Sequence, residues 1–293
     1  MKDTNVQWHP GFVAAMNLEL AKNRDDLIFE KEYNLNTKPL EIDLLVIKKN
    51  SNISIDNEIG KIFRGHNIFE YKSPEDHLDI DVFYKVGAYA SLYKSYGKTV
   101  DSIKADDITV SMVREAKPSG LFRYFNEHGY MVSNPYSGIY YINAKVLFPT
   151  QIIVTKELIR DDHIWLRSLS EKLAKNDMKE LIKQISHITQ KQDREFADSV
   201  LEVSMALNEQ IVENLLGDDS MSEALLEIMK PLIEPIIVKR ENEKWQQGMQ
   251  QGIQQGIQQM IDVLRSLGHN DIEIENIVRD RYKLTEEKVK EYF

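Results

Sequence analysis

Two apolar segments of this chain carry charge where a strand usually carries hydrocarbon, and that conflict limits the folds open to it. Leu40-Glu41-Ile42-Asp43-Leu44-Leu45-Val46-Ile47 is dense in branched apolar residues and reads as a strand over 40–49. Asn67-Ile68-Phe69-Glu70-Tyr71-Lys72-Ser73 reads as another, over 66–73. Side chains two apart on a strand share a face. Glu70 and Lys72 therefore point one way and Tyr71 the other, while Asp43 shares its face with Glu41 and Leu45. If the strands are neighbours, Asp43 approaches Glu70 and Lys72. Such charges also suit the solvent side of an edge strand, where they discourage aggregation. Neither segment, however, has the regular polar face of an exposed edge.

The surrounding pattern is α/β. Residues 10–26 read as a helix, with Phe12, Val13, Met16, Leu18 and Leu20 at roughly helical spacing. Residues 28–35 read as a first strand, and Asn36-Thr37-Lys38-Pro39 as a turn. Residues 50–65 are an insertion without a clear pattern. Residues 80–96 form an amphipathic helix with Val82, Val86, Tyr89 and Tyr93 on one stripe. Ile108–Val113 reads as a fourth strand, and 138–154 holds further short ones. The order helix, three strands, helix, strand predicts a mixed sheet between helices.

From about residue 157 the pattern turns helical. Segments 162–175, 177–190, 194–216 and 220–238 carry Leu and Ile at spacings of three and four, with Asp177 and Ser220 as expected N-caps and Gly217 as a helix end. Gln246 to Ile257 repeats Gln-Gln-Gly-apolar three times. On a helix that period lines up Gly248, Gly252 and Gly256, over which a partner helix could approach; a polar linker is the other reading. Residues 260–293 read as two or three short helices punctuated by Gly268 and Thr285.

Composition narrows the function classes. The 293 residues include no cysteine, which removes disulfides, thiolate metal sites and a cysteine nucleophile, and fits the cytoplasm. No apolar run reaches the length of a membrane span, and the first residues lack the apolar stretch of a secretory signal. The net charge is −10, yet residues 1–160 carry 20 Lys+Arg against 21 Asp+Glu, leaving 17 against 26 for the remainder. The acidic excess therefore lies away from the charged strands. The seven histidines show no HxxxH spacing, and no phosphate-binding glycine loop occurs.

Asp43, Glu70 and the main-chain carbonyl of Tyr71 are oxygen donors of the kind that Mg²⁺ or Mn²⁺ prefers. Such an ion polarises a phosphate and lowers the pKa of a bound water. Lys72 is placed to orient that water or to neutralise charge developing in the transition state. In the next helix Lys85 and Tyr89 are either phosphate contacts or a salt bridge and a core residue. The aromatics Tyr84, Tyr93, Tyr96, Phe122, Tyr124 and Phe125 are open to base stacking or to the core in the same way.

The run from helix 10–26 to strand 108–113 resembles the PD-(D/E)XK nucleases, whose restriction-endonuclease-like core is αβββαβ. Asp43 matches the motif aspartate and Glu70-Tyr71-Lys72 the (D/E)-x-K element, with Ile42 where the family's proline stands. Glu41-Ile42-Asp43-Leu44-Leu45, Glu70-Tyr71-Lys72-Ser73-Pro74 and the glycine-repeat tail are similar to the recombination-promoting nuclease, transposase-like branch. The resemblance implies a Mg²⁺- or Mn²⁺-dependent endodeoxyribonuclease acting on DNA, linked to recombination or mobile elements. It covers residues 10–115, reaches the tail at 246–293 more loosely and says least about 157–240; with the pattern along the chain it gives a nuclease-like domain over 1–156, a helical region over 157–240, and a repeat helix with a small helical tail over 241–293. It also implies an acidic residue of the first helix at the metal, for which Glu19 is the candidate and Glu32 and Glu58 are rivals. Self-association through the helical C-terminal half would set two active sites against the antiparallel strands of a duplex. A regulatory or interaction protein on a weak or inactive nuclease fold is the alternative, since no basic stripe is visible.

Overall fold

The computed structural model describes residues 7–35, 41–50, 52–208, 210–211, 215, 223–290 and 292–293. Seven strands form one mixed sheet: β1 (Leu27–Asn34), β2 (Glu41–Lys48), β3 (His66–Lys72), β4 (Ile108–Arg114), β5 (Val132–Tyr136), β6 (Ile139–Ile142) and β7 (Thr150–Val154). Their order across the sheet is β1-β2-β3-β4-β7-β6-β5. The first three run antiparallel as a meander. β3 and β4 are parallel, and so are β4 and β7; β7, β6 and β5 alternate again. A parallel neighbour needs a crossover, and α2 (Ile80–Ser95) supplies it between β3 and β4. The central strands are buried on both faces, which is why they read as continuous apolar runs rather than alternating ones.

α1 (Trp8–Glu19) is buried almost all round, from Gly11 to Glu19. A helix apolar on every side has to lie between two layers. On one side Phe12 stacks on Tyr71 of β3 at 4.7 Å between ring centres. On the other, α1 packs against α4 (Ile164–Arg167) and α6 (Lys191–Leu207). Gly11 permits that approach, because a Cβ there would stand 2.8 Å from Val203 Cγ2. The opposite face of the sheet is covered by α2 and α3 (Ser119–Glu127), whose Phe83 and Phe125 meet edge to face at 4.9 Å. Tyr89, Tyr93 and Phe125 are core residues there, whereas Tyr84 is exposed.

The α/β class, the mixed sheet and the helical C-terminal region follow the sequence expectation, and several bounds move. The first helix ends at Glu19 and continues as a 3₁₀ turn over Ala21–Asp26. The helix expected over 162–175 stops at Arg167. α5 (Lys175–Ser186) starts before Asp177, which is no N-cap but lies in the first turn, where it accepts from Arg167 at 2.9 Å. The turn at 36–39, Gly217 and Ser220 lie outside the described residues.

The chain divides into two compact units, Met1–Leu226 and Glu227–Phe293. α7 (Glu223–Ser266) is a single 44-residue helix that includes the glycine repeat. In the second unit Ile257 and Ile261 of α7 pack against Ile274 and Val278 of α8 (Asp271–Tyr282). A capping box of Asn270 and Glu273 starts α8, and α9 (Glu286–Lys290) follows Thr285. Among the described residues no helix is long and apolar enough to cross a membrane.

Candidate active site

The site begins where β2 and β3 part. Their ladder runs from Ile47↔His66 to Leu44↔Phe69 and stops. Beyond that point β2 stays with β1, through Ile42↔Tyr33 and Glu41↔Asn34. β3 stays with β4, through Glu70↔Met112 to Lys72↔Arg114. The result is a fork with Asp43 on one arm and Glu70 on the other. The Tyr71 amide has no β2 partner in the ladder, and Asp43 supplies one: the N–H donates to Asp43 Oδ2 at 2.8 Å. The two motif segments are thus joined by a charge-assisted hydrogen bond.

The arms are held from three directions. Tyr71 turns toward α1, where Trp8, His9 and Phe12 surround its ring. Glu70 turns toward α2: its Oε1 accepts from Lys72 Nζ at 2.7 Å and lies 3.8 Å from Lys85 Nζ. Lys85 also stands over the Tyr89 ring at 5.2 Å. The turn after Lys72 is clamped by Arg114, which donates to the carbonyls of Asp76 and Ala116 at 3.0 Å. His9 Nε2 of α1 lies 3.7 Å from Asp43 Oδ2.

At the fork the Asp43 and Glu70 carboxylates stand near His9, Lys72 and Lys85. Burial raises the Glu70 pKa, and the nearby Asp43 charge raises it further, outweighing Lys72 and Lys85. The Asp43 carboxylate also holds the His9 imidazole above its ordinary pKa, against the effect of burial. A buried carboxylate beside a second one suits a divalent cation, and Asp43, Glu70 and the Tyr71 carbonyl are oxygen donors of the right hardness. Among the described residues no three His, Asp or Glu side chains already enclose a metal-sized space. The Glu70 carboxylate faces Lys72 instead, as a buried anion must find some partner.

Glu19 is not at the fork. It lies at the far end of α1, roughly 16 Å along the axis from the Trp8 end at 1.5 Å per residue. There its carboxylate accepts from the Leu166 amide at 3.2 Å and from Asn57 Nδ2 at 3.2 Å, and meets His163 Nδ1 at 2.9 Å. Glu58, one of its rivals, faces the other nitrogen of His163 at 3.5 Å. Glu32, the second rival, is exposed on β1 with a left-handed backbone, φ 48°. The structure therefore unites Asp43, Glu70, Lys72 and Lys85, adds His9, and assigns Glu19 to a separate buried cluster. Sequence reasoning passed over His9 and His163. The Trp8-His9-Pro10 start of a helix was the one visible sign of His9, since proline in a first turn fixes where that turn lies.

Comparison with protein-family models, curated proteins and solved structures finds no match to this chain.

Proposed function

We propose that this chain is a divalent-metal-dependent DNA endonuclease with a restriction-endonuclease-like αβββαβ core. The observation that carries this reading is the fork, where β2 and β3 separate and carry Asp43 on one arm and Glu70, held by Lys72, on the other. α1, β1, β2, β3, α2 and β4 follow one another in the αβββαβ order, and the resemblance to the PD-(D/E)XK nucleases rests on the same residues.

Asp43, Glu70 and the Tyr71 carbonyl would hold Mg²⁺ or Mn²⁺. When bound, such an ion supplies a polarised phosphate and a water of lowered pKa. Asp43 fixes the β2 arm against the Tyr71 amide, so that the donors on the two arms keep their spacing. With its carboxylate committed to an ion, Glu70 would release Lys72, whose ammonium would then face the attacking water and the charge that forms on phosphate oxygens. Lys85, half exposed at 50% and 3.8 Å from Glu70, is placed for a neighbouring phosphate. Duplex DNA is the proposed substrate, and the near balance of charge over residues 1–160 leaves an anionic backbone free to approach once the carboxylates are neutralised.

Self-association completes the proposal. Glycine costs a helix about 1 kcal/mol against alanine, and α7 spends Gly248, Gly252 and Gly256 in one segment. Open space surrounds Gly248 and Gly252, and Trp245, Met249 and Ile253 are exposed beside them. A second copy of α7 is the occupant that fits this close-approach face.

The test is cleavage of supercoiled plasmid with Mg²⁺ or Mn²⁺ by the wild type beside Asp43→Ala. Cutting that needs the metal, stops with chelator and is lost in Asp43→Ala supports the reading. Equal cutting by both proteins, indifferent to chelator, overturns it.

A further inference from the structure

We propose that His9 is an additional ligand of the cation at the β2–β3 fork and that its imidazole biases the site toward Mn²⁺ over Mg²⁺. The inference rests on the metal-site reading of Asp43 and Glu70 and adds a donor that the motif does not contain.

The distance is the first argument. His9 Nε2 and Asp43 Oδ2 are 3.7 Å apart, too long for a hydrogen bond. It falls between the two spacings that donors on one octahedral ion take, so both atoms could reach the same ion after a small adjustment. With bonds of about 2.1 Å in an octahedron, donors stand roughly 3.0 Å apart when adjacent and roughly 4.2 Å apart when opposite.

The second argument is how the ring is held. His9 sits in the first turn of α1, and its ring meets Tyr71 edge-on, 6.2 Å between centres and 82° between planes. Trp8 and Phe12 pack against the same Tyr71 ring. Tyr71 thus links three of the four candidate donors: its amide holds Asp43, its carbonyl belongs to the donor set, and its ring steers His9. Half of the His9 side chain, 52%, is open to solvent, so a hydrated ion can reach Nε2.

The third argument is chemical. Mg²⁺ takes oxygen ligands and keeps its waters, whereas transition-metal ions accept imidazole nitrogen. One nitrogen among carboxylate and carbonyl oxygens therefore shifts preference from Mg²⁺ to Mn²⁺ without excluding Mg²⁺.

Pulsed electron paramagnetic resonance of the Mn²⁺-loaded full-length protein reads the ligand directly. Echo modulation from a coordinated nitrogen is expected in the wild type and absent in His9→Ala. Calorimetry with each metal alone gives the selectivity. His9→Ala is expected to weaken Mn²⁺ binding about tenfold or more and Mg²⁺ binding by no more than about twofold. Asp43→Ala is expected to lose both metals. A wild-type spectrum without nitrogen modulation overturns the role of His9, and needs no variant to fold. Unchanged Mn²⁺ affinity in a folded His9→Ala overturns it too, while loss of both metals in Asp43→Ala would leave the fork reading standing. If Asp43→Ala binds both metals as the wild type does, the fork reading itself fails and this inference with it.

Discussion

At Glu70, burial and a like-charged neighbour act in the same direction, and Lys72 is the nearest remedy. That pairing makes Lys72 separable from the donors in function. Lys72→Ala is expected to slow plasmid cleavage by about 10²- to 10³-fold, the loss seen when a donor aimed at developing charge is removed. Calorimetry should show that divalent binding survives, because the oxygen donors remain. Cleavage at the wild-type rate would remove Lys72 from the mechanism. His163 gives a second residue-scale expectation, this one about stability. Burial disfavours its protonated form, but the hydrogen bond and charge of Glu19, then those of Glu58, more than offset that and raise its pKa above 6.5. The folded state then holds the proton more tightly than the unfolded one. The contribution is fully present below the unfolded value of 6.5 and is lost as pH rises through the folded pKa. Urea unfolding of the wild type should therefore weaken from about pH 5.5 to about pH 8.5 by more than it does for His163→Gln. His163→Gln itself should cost about 3 kcal/mol or more in acid, because Glu19 stays buried without its cation. Asp43, Glu70 and Lys72 were legible in the sequence, since charge inside an apolar strand is a local anomaly. The partner of Glu19 was not, because His163 lies 144 residues away and no spacing rule connects them.

Among the elements, β2, β3, α2 and β4 could be read because their burial is continuous or strictly periodic. Elements fixed by remote partners could not. β5 contains Pro135 and Asn134 and carries no strand signature; it pairs as an edge, where a missing N–H is tolerated. α3 is nine residues long, with Leu121 and Phe125 as its buried anchors, too short for a periodicity to stand out. The helix expected through 162–175 ends early because side chains of other elements take over its backbone. Asn208 accepts from the Leu173 amide and donates to the Ser170 carbonyl, and Ser170 donates to Glu115. The turn between β5 and β6 depends on Gly138, at φ 74°, where a Cβ would stand 2.7 Å from both Val154 O and Leu158 N. Gly138→Ala is expected to cost about 2 kcal/mol or more from backbone strain and that clash. Chemical denaturation measures it, and an unchanged midpoint would show that the turn can shift without loss.

For the whole molecule, the acidic excess of residues 161–293 and the near neutrality of 1–160 separate the duties of the chain. In the proposed reading a cation at the fork neutralises Asp43 and Glu70, and a second copy of α7 covers the glycine face. Sedimentation of the wild type should give the mass of a dimer, and Gly248→Leu with Gly252→Leu should give a monomer of undiminished helix content. A wild-type monomer at high concentration would remove self-association from the account. Whether the fork holds a cation can be read from an anomalous difference map of crystals soaked in Mn²⁺. A metal site there would give a peak at about 2.2 Å from the Asp43 carboxylate, the Glu70 carboxylate and the Tyr71 carbonyl oxygen. A fork without that peak at saturating Mn²⁺, or a peak bound elsewhere while Glu70 keeps its Lys72 contact, would contradict it.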